Sequence, residues 1–234
     1  LRLCQIGGDI GTWESNLVTN KETWSEKTAS LFGHPALTDP SWQDFINIVH
    51  PDDRHRVIEA KNSHLEKNTN YDVEYRVNCA NGELLWLRSA GRAERSKDGN
   101  PVLIRGIVQN ITERKIAEDK LRESENKLLV ILESVEAYIY LKDTQGNYLF
   151  ANRLVRELFG ASMDEIIGQN DSKFFDPKTV AELYRNDQLV LTTGITLKSE
   201  ETNHNLKDGT INTYLSIKLP LRNEAGEIFA LCGI

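Results

Sequence analysis

YDVEYRVNCANGELLWLRSAGRAERSKDGNPVLIRGIVQNITERK, Tyr71–Lys115, is the stretch that decides the fold. Tyr71, Val73, Tyr75 and Val77 alternate with Asp72, Glu74 and Arg76. That period of two buries one face of a strand and wets the other. Asn81-Gly82 follows, a hairpin signal, because a type I′ turn needs positive φ at both central residues. ELLWLRSAGRAER then reads as a second strand, Asp98-Gly99-Asn100 as a second turn, and PVLIRGIVQNI as a third strand. The segment is an antiparallel meander whose last strand passes almost at once into the charged run TERKIAEDKLRES, Thr112–Ser124.

The same grammar recurs 127 positions later: SLFG at Ser30–Gly33 returns as ELFG at Glu157–Gly160, and Asn81-Gly82 as Asp208-Gly209. Gly99 and Gly106 return at that offset as Gly226 and Gly233. Such a period is too long for a solenoid unit and marks two copies of one domain plus a connector. The second meander is TLKSEETNHNL, the Asp208-Gly209 turn, TINTYLSIKLPLR, a turn at Glu224-Ala225-Gly226, and EIFALCGI. Upstream lies a helix in each copy. His50–Asn68 opens with Pro51 and two aspartates and carries a narrow stripe of Val57, Ile58 and Leu65. Asp176–Gly194 has Pro177 near its start and Val180, Leu183, Tyr184, Leu189 and Leu191 as its expected apolar set. Two short strands precede these, GTWESNL with KETWS, and AYIYLKD with NYLFAN. The order per copy is β-β-α-α-β-β-β, which is α+β.

Composition sets the outer bounds. The 234 residues are 39% hydrophobic and 27% charged, ordinary for a globular chain. The longest apolar run, LLVILESV at Leu128–Val135, is broken by Glu133 and far short of a bilayer span. A net charge of −7 disfavours nucleic acid and acidic membrane as partners. Cys4, Cys79 and Cys232 are scattered and form no CxxC, which argues against a disulfide scaffold or zinc site and predicts a reducing, cytoplasmic setting. The Leu-Arg-Leu start predicts a piece of a longer protein, which elsewhere can carry a membrane anchor.

Taken in order, GTWE (Gly11–Glu14), HPDDR (His50–Arg54), VEYRV (Val73–Val77), NGELLWLR (Asn81–Arg88) and RGIVQNITERK (Arg105–Lys115) resemble the markers of a PAS domain, a sensor module of bacterial signalling proteins. The second copy resembles a more generic PAS subclass through YIYLKDTQGNYLFANRLVRELFG (Tyr138–Gly160), MDEIIGQND (Met163–Asp171) and KDGTINTYLSIKLPLRNEAGEI (Lys207–Ile228). The resemblance implies two PAS folds, each a five-stranded antiparallel sheet flanked by short helices, joined by a helical linker. The expected partition is 7–111, 112–134 and 135–234, the last truncated at its C-terminal end. One departure stands out: the family places Asp-Ile-Thr where this chain has Asn110-Ile111-Thr112. Asn keeps the hydrogen-bonding oxygen and drops the charge.

In the connector, Thr112 is the expected N-cap, with Glu113 favoured by the helix dipole and Ile111 and Ile116 placed for a hydrophobic staple. Glu118 with Arg122 and Glu123 with Lys127 are the expected i,i+4 pairs. With no Gly or Pro from Ile107 to Val135, one helix from about Glu113 to Glu133 is expected. Leu121, Leu128 and Val135 are seven apart, and Ala117, Ser124 and Ile131 interleave with them. This short seam predicts a homodimer through the linker and the PAS surfaces, the alternative being packing of Leu128–Val135 on the second domain. Asn110, Thr112, Leu121 and Leu128 are the expected signal-transmission residues.

No nucleophile elbow, phosphate loop or metalloprotease helix occurs, so no catalytic or metal-ligating residue is assigned and this segment is expected not to be an enzyme. The GGD in Ile6–Gly11 lacks the rest of a cyclase signature. Haem or flavin is the competing expectation. His50, His55 and His64 lie on or near the first long helix and read as solvated; Gly168–Phe175 lacks the cysteine of flavin photoreceptors of this family. The candidate small-molecule residues are Trp24, Tyr75 and Trp86 in the first copy and Tyr138, Tyr140, Asn152, Tyr184 and Ser216 in the second. The second set is favoured for its hydroxyls; core packing, and an N-cap role for Asn152, are the competing readings. By resemblance the segment relays ligand or partner binding to a C-terminal diguanylate cyclase, phosphodiesterase or histidine kinase. A ligand-free dimerisation spacer is the third reading.

Overall fold

The computed structural model describes residues 10–33, 40–67, 69–79 and 81–234, so Cys4 and most of the GGD stretch lie outside the described residues. The chain divides into two compact units, Leu1–Arg122 and Glu123–Ile234. The first contains β1 (Ile10–Asn16), β2 (Lys21–Trp24), α1 (Glu26–Leu31), α2 (Trp42–Ile48), α3 (Arg54–Lys67), β3 (Tyr71–Asn78), β4 (Leu84–Arg95) and β5 (Pro101–Asn110). The boundary falls within α4 (Thr112–Ser134). The second contains β6 (Tyr140–Asp143), β7 (Tyr148–Ala151), α5 (Arg153–Phe159), α6 (Met163–Ile166), α7 (Pro177–Thr193), β8 (Leu197–His204), β9 (Ile211–Arg222) and β10 (Ile228–Gly233). Three helices precede each meander rather than two, because α1, α2, α5 and α6 have seven residues or fewer, too few to show a 3.6 period. Their caps are nonetheless local: Ser41 and Asp44 form a capping box on α2, and Asn152 accepts from the Val155 N–H at the start of α5.

Both sheets are antiparallel and have one topology, β2-β1-β5-β4-β3 and β7-β6-β10-β9-β8. The hairpin turns differ from the type I′ expectation. Gly82 and Gly209 have φ of 82° and 70°, but Asn20 is the one non-glycine with positive φ among the described residues. Asn81 and Asp208 instead accept the N–H of Glu83 and Thr210, each at 3.0 Å, so the side chain makes the turn in place of a left-handed backbone.

The repeated glycines have a packing reason. Trp24, Trp13, Gly106, Gly91 and Tyr71 face one another in register across all five strands of the first sheet. The Trp13 ring lies over the two glycines and meets Tyr71 edge-on at 5.6 Å, so a Cβ at Gly106 would overlap the indole. In the second sheet Gly233 yields to the Tyr140 ring in the same way, and Lys218 stands beside it in the position of Gly91. The core of the first unit includes Phe32, Phe45, Val49, Val57, Tyr75, Val77, Leu87 and Val108. That of the second includes Tyr148, Val155, Phe159, Ile166, Phe174, Phe175 and Leu183, with Phe159 stacked on Phe174 at 4.0 Å. Each such aliphatic or aromatic side chain contributes about 1.5–3 kcal/mol on burial. Among the described residues no helix is long and apolar enough to cross a membrane.

Candidate functional site

Two expected motifs of the first unit meet. Asp53, from HPDDR, is 4% exposed and accepts from the Arg76 backbone N–H and Nε, both at 2.8 Å, and from Nη2 at 3.0 Å. Burial by itself would raise the Asp53 carboxyl, but the Arg76 bonds, helped by Arg56, hold it below the usual carboxylate range. This clamp ties the start of α3 to β3.

The space between the sheet and α1–α3 is nearly filled. Trp24 and Tyr75 line a cavity of about 20 Å³, room for about one water. Two pairs of its polar walls satisfy each other, Ser15 donating to Glu22 at 2.6 Å and the Tyr75 and Ser89 hydroxyls meeting at 2.6 Å, whereas the buried Trp13 Nε1 has no partner. Burial raises the Glu22 carboxyl above its ordinary value. Trp86 lies elsewhere, at cation–π distance from Arg76 and Lys115 (5.5 and 5.3 Å), because it alternates with the inward Leu87. A larger, open groove of about 860 Å³ lies along Trp13, Trp24, Tyr71, Arg92 and Arg105. His64 corrects the solvated reading. It is 3% exposed, its Nδ1 meets the Thr69 carbonyl, and its Nε2 is buried without a partner. It lines neither the groove nor the cavity.

The second unit has a partly open cavity of about 240 Å³. Tyr138, Tyr140 and Ser216 line this cavity together with Tyr148, Phe159, Phe175, Tyr214, Asp171, Glu201 and Asn203. Tyr184 does not, being 58% exposed on the outer side of α7. There Leu183, Asp187 and Val190 face inward, while Leu189 is exposed. Asn152 is fully buried but does not line the cavity. It accepts from the N–H groups of Val155 and Ile139 and donates to the carbonyls of Ala137 and Leu132, joining the α5 cap to the end of α4.

Beneath the cavity runs a chain of buried charges that the sequence reading missed. Lys142 Nζ donates to Asp171 at 2.5 Å and Asp187 at 2.9 Å; Lys218 Nζ meets Asp187 at 2.6 Å and Glu201 at 2.9 Å. Tyr148 donates to Asp171 at 2.6 Å, and Asn186 to Glu201 at 2.7 Å. Burial alone would lower the Lys142 ammonium, but Asp171 and Asp187 raise it, so it stays charged. Burial, reinforced by the carboxylates, raises the Tyr140 and Tyr148 hydroxyls far above their ordinary value, so both stay neutral. The alternation of Tyr214, Ser216 and Lys218 with Leu215 and Ile217 was the available signal. The polar set faces inward, with Lys218 at 0% exposure and Leu215 at 74%.

The second-unit cavity offers no ligand to a haem iron and is small for a flavin. No His, Cys or Met lines the 240 Å³ cavity, and its volume is below the about 300–1,000 Å³ usual for cofactor pockets. Among the described residues no group of His, Cys, Asp and Glu is arranged to hold a metal ion.

At the junction with α4, Asn110 Oδ1 accepts the Thr112 N–H at 2.9 Å. The Thr112 hydroxyl, expected to cap the helix, instead accepts the Trp86 N–H at 2.9 Å, while Ile111 donates to the Trp86 carbonyl at 2.8 Å. Glu74 of β3 pairs with Arg114 at 2.5 Å and Lys115 at 2.7 Å. The first turn of α4 is therefore bonded to β3 and β4. Ile111 is buried but Ile116 is 48% exposed, which gives no buried staple, and Arg122 pairs with Asp119 rather than Glu118. No residue of α4 is buried; Leu121 and Leu128 are 61% and 60% exposed, so Leu128–Val135 is not buried on the second unit.

Two family models, both described as PAS fold, match residues 21–108 and 132–234. Sensor protein FixL of Bradyrhizobium diazoefficiens is 31% identical over 164 residues, 70% of this chain and 32% of the relative. The probable diguanylate cyclase DgcE of Escherichia coli is 24% identical over 168 residues, 72% of this chain and 15% of the relative. The chain thus spans about a third or less of the length of these relatives. A solved sensory box histidine kinase/response regulator from Burkholderia thailandensis is 33% identical, covering 54% of this chain and 95% of that one, with a TM-score of 0.49.

Proposed function

The chain belongs to the PAS family, two domains in tandem, and from that premise we propose that the second cavity receives a small molecule while α4 carries conformational change along the protein toward a C-terminal output domain. The observation that carries the relay is the root of α4. Thr112 bonds its first turn to β4, Arg114 and Lys115 bond it to β3, and Asn110 at the end of β5 accepts the Thr112 N–H, so a shift in the first sheet moves the helix as a unit. Relay of this kind needs two states that differ in affinity for the signal. A histidine kinase or a diguanylate cyclase is the output consistent with the named relatives, and a cytoplasmic location suits such an output. The segment itself catalyses nothing.

Phase is the test. Inserting one residue between Asn126 and Lys127 of the full-length protein turns everything downstream by about 100°, whereas seven residues return it to within about 20°. One residue is expected to change output activity and seven to restore it. Equal activity in both would exclude helical relay.

The exposed seam of Leu121, Leu128 and Val135 supports a homodimer through α4. Light scattering is expected to give a dimer mass that falls in Leu121→Asp and Leu128→Asp; unchanged mass in both removes the seam as the interface.

A further inference from the structure

The buried charges of the second unit form a line, Asp171–Lys142–Asp187–Lys218–Glu201, in which each lysine is shared between two carboxylates. Among the described residues these are the charged side chains that this unit buries, two positive and three negative. The surplus is not spread evenly. Asp187, at the centre, contacts both lysines and does not reach the cavity. Asp171 and Glu201, at the two ends, have one lysine each, and both line the cavity. Uncompensated negative charge therefore faces the 240 Å³ space, while both ammonium groups are kept behind it.

Independent features of the same wall ask for a donor. The Asn203 Oδ1 lines the cavity, buried and without a hydrogen-bond partner. Ser216, 7% exposed, lines it too, and its hydroxyl, bonded to no described group, can accept from a guest or donate to one. The remaining walls are the rings of Tyr138, Tyr140, Tyr148, Tyr214, Phe159 and Phe175 together with aliphatic side chains, Val155, Leu158 and Leu183 among them, which would hold an apolar body. Aromatic faces, carboxylates and unfilled acceptors together favour a cation, which gains from the ring quadrupole and from the carboxylates in one place. An anion would meet the carboxylates without a cavity-lining lysine or arginine to pair with. The volume limits the guest to about one ring or a short chain.

We infer that the second-domain cavity is a receptor site for a small organic monocation, an ammonium compound with an apolar body, whose charge completes the Asp171-to-Glu201 line. This rests on the reading of the cavity as the receptor site. The test uses three single-ring probes of nearly one shape, benzylammonium, benzyl alcohol and benzoate, titrated at pH 7 into the isotopically labelled 234-residue chain and followed by heteronuclear NMR. Benzylammonium is expected to bind at least tenfold tighter than benzyl alcohol, with benzoate weakest, and to lose its binding in Ser216→Phe, which fills the cavity. Glu201→Gln is expected to narrow the ammonium preference several-fold, with circular dichroism reporting that the variant is folded. Equal binding of the ammonium and the alcohol, or preference for benzoate, overturns the cationic ligand but leaves the cavity a receptor. Binding that survives Ser216→Phe places the probe elsewhere and overturns the inference. Failure of all three probes to bind the folded chain overturns it and the receptor reading together.

Discussion

Replacing Asp187 with Asn removes the one carboxylate that serves two buried lysines, at 2.9 Å from Lys142 and 2.6 Å from Lys218. At an effective dielectric of about 20, each contact carries roughly 6 kcal/mol of attraction. Most of that offsets the several kcal/mol needed to strip water from each ion. What the substitution exposes is the uncompensated remainder. Lys142 keeps only Asp171, Lys218 keeps only Glu201, and the new amide cannot satisfy both ammonium groups. Removing one member of a buried ionic group costs about 3–5 kcal/mol. For a domain of this size that lowers the melting temperature by very roughly 15–30 °C. Fluorescence separates the units, because Trp13, Trp24, Trp42 and Trp86 all belong to the first. Far-ultraviolet circular dichroism sees both. In Asp187→Asn the dichroism curve should gain an early transition while the tryptophan transition stays in place. High salt should not mimic the effect, since pairs this buried are poorly screened. A loss under about 1 kcal/mol, or an equal shift in the fluorescence transition, would refute the assignment of the ionic line as a structural element of the second unit.

The Asp53 clamp makes a pH prediction with a definite sign. The folded-state carboxyl lies below its unfolded value of 3.8, so its stabilisation is present above that pH and disappears as pH falls through and below it. Asp53→Asn should therefore lower first-unit stability by about 2–3 kcal/mol at pH 7 and flatten its acid dependence, read by tryptophan fluorescence. Gly106→Ala should cost about 1–3 kcal/mol in the same assay, because its Cβ would displace the Trp13 ring. Asn110→Asp keeps the acceptor for the Thr112 N–H and adds a charge that the helix dipole favours, so stability should change by no more than about 1 kcal/mol. Its effect should appear in the output activity of the full-length protein; loss of folding would remove Asn110 from the junction.

The repeat shows where local signals suffice. Gly106 and Gly233, matched by position alone, turn out to lie under Trp13 and Tyr140, themselves 127 residues apart. The strands were legible because alternation and turn residues act over a few neighbours, and the long helix α4 because nothing in it breaks a 3.6 period. The short helices were not, since four to seven residues show no period. Turn chemistry was half read: Gly82 and Gly209 take positive φ, but Asn81 and Asp208 use their side chains instead of their backbone.

The cavity was legible only in part. Tyr138, Tyr140 and Ser216 line it; Tyr184 points outward and Asn152 serves a cap. Lys142, Asp171, Asp187, Glu201 and Lys218 sit on five different elements or turns, and taken singly each looks like an ordinary surface charge. Sequence alone determined the two-copy α+β architecture, the meanders and the charged helix between them, because those depend on neighbours along the chain. Which face of β9 points inward, which carboxylate meets which lysine, and how much space remains open were decided only in the tertiary structure. Desolvation and charge pairing depend on distance through space, and no spacing along the chain records it.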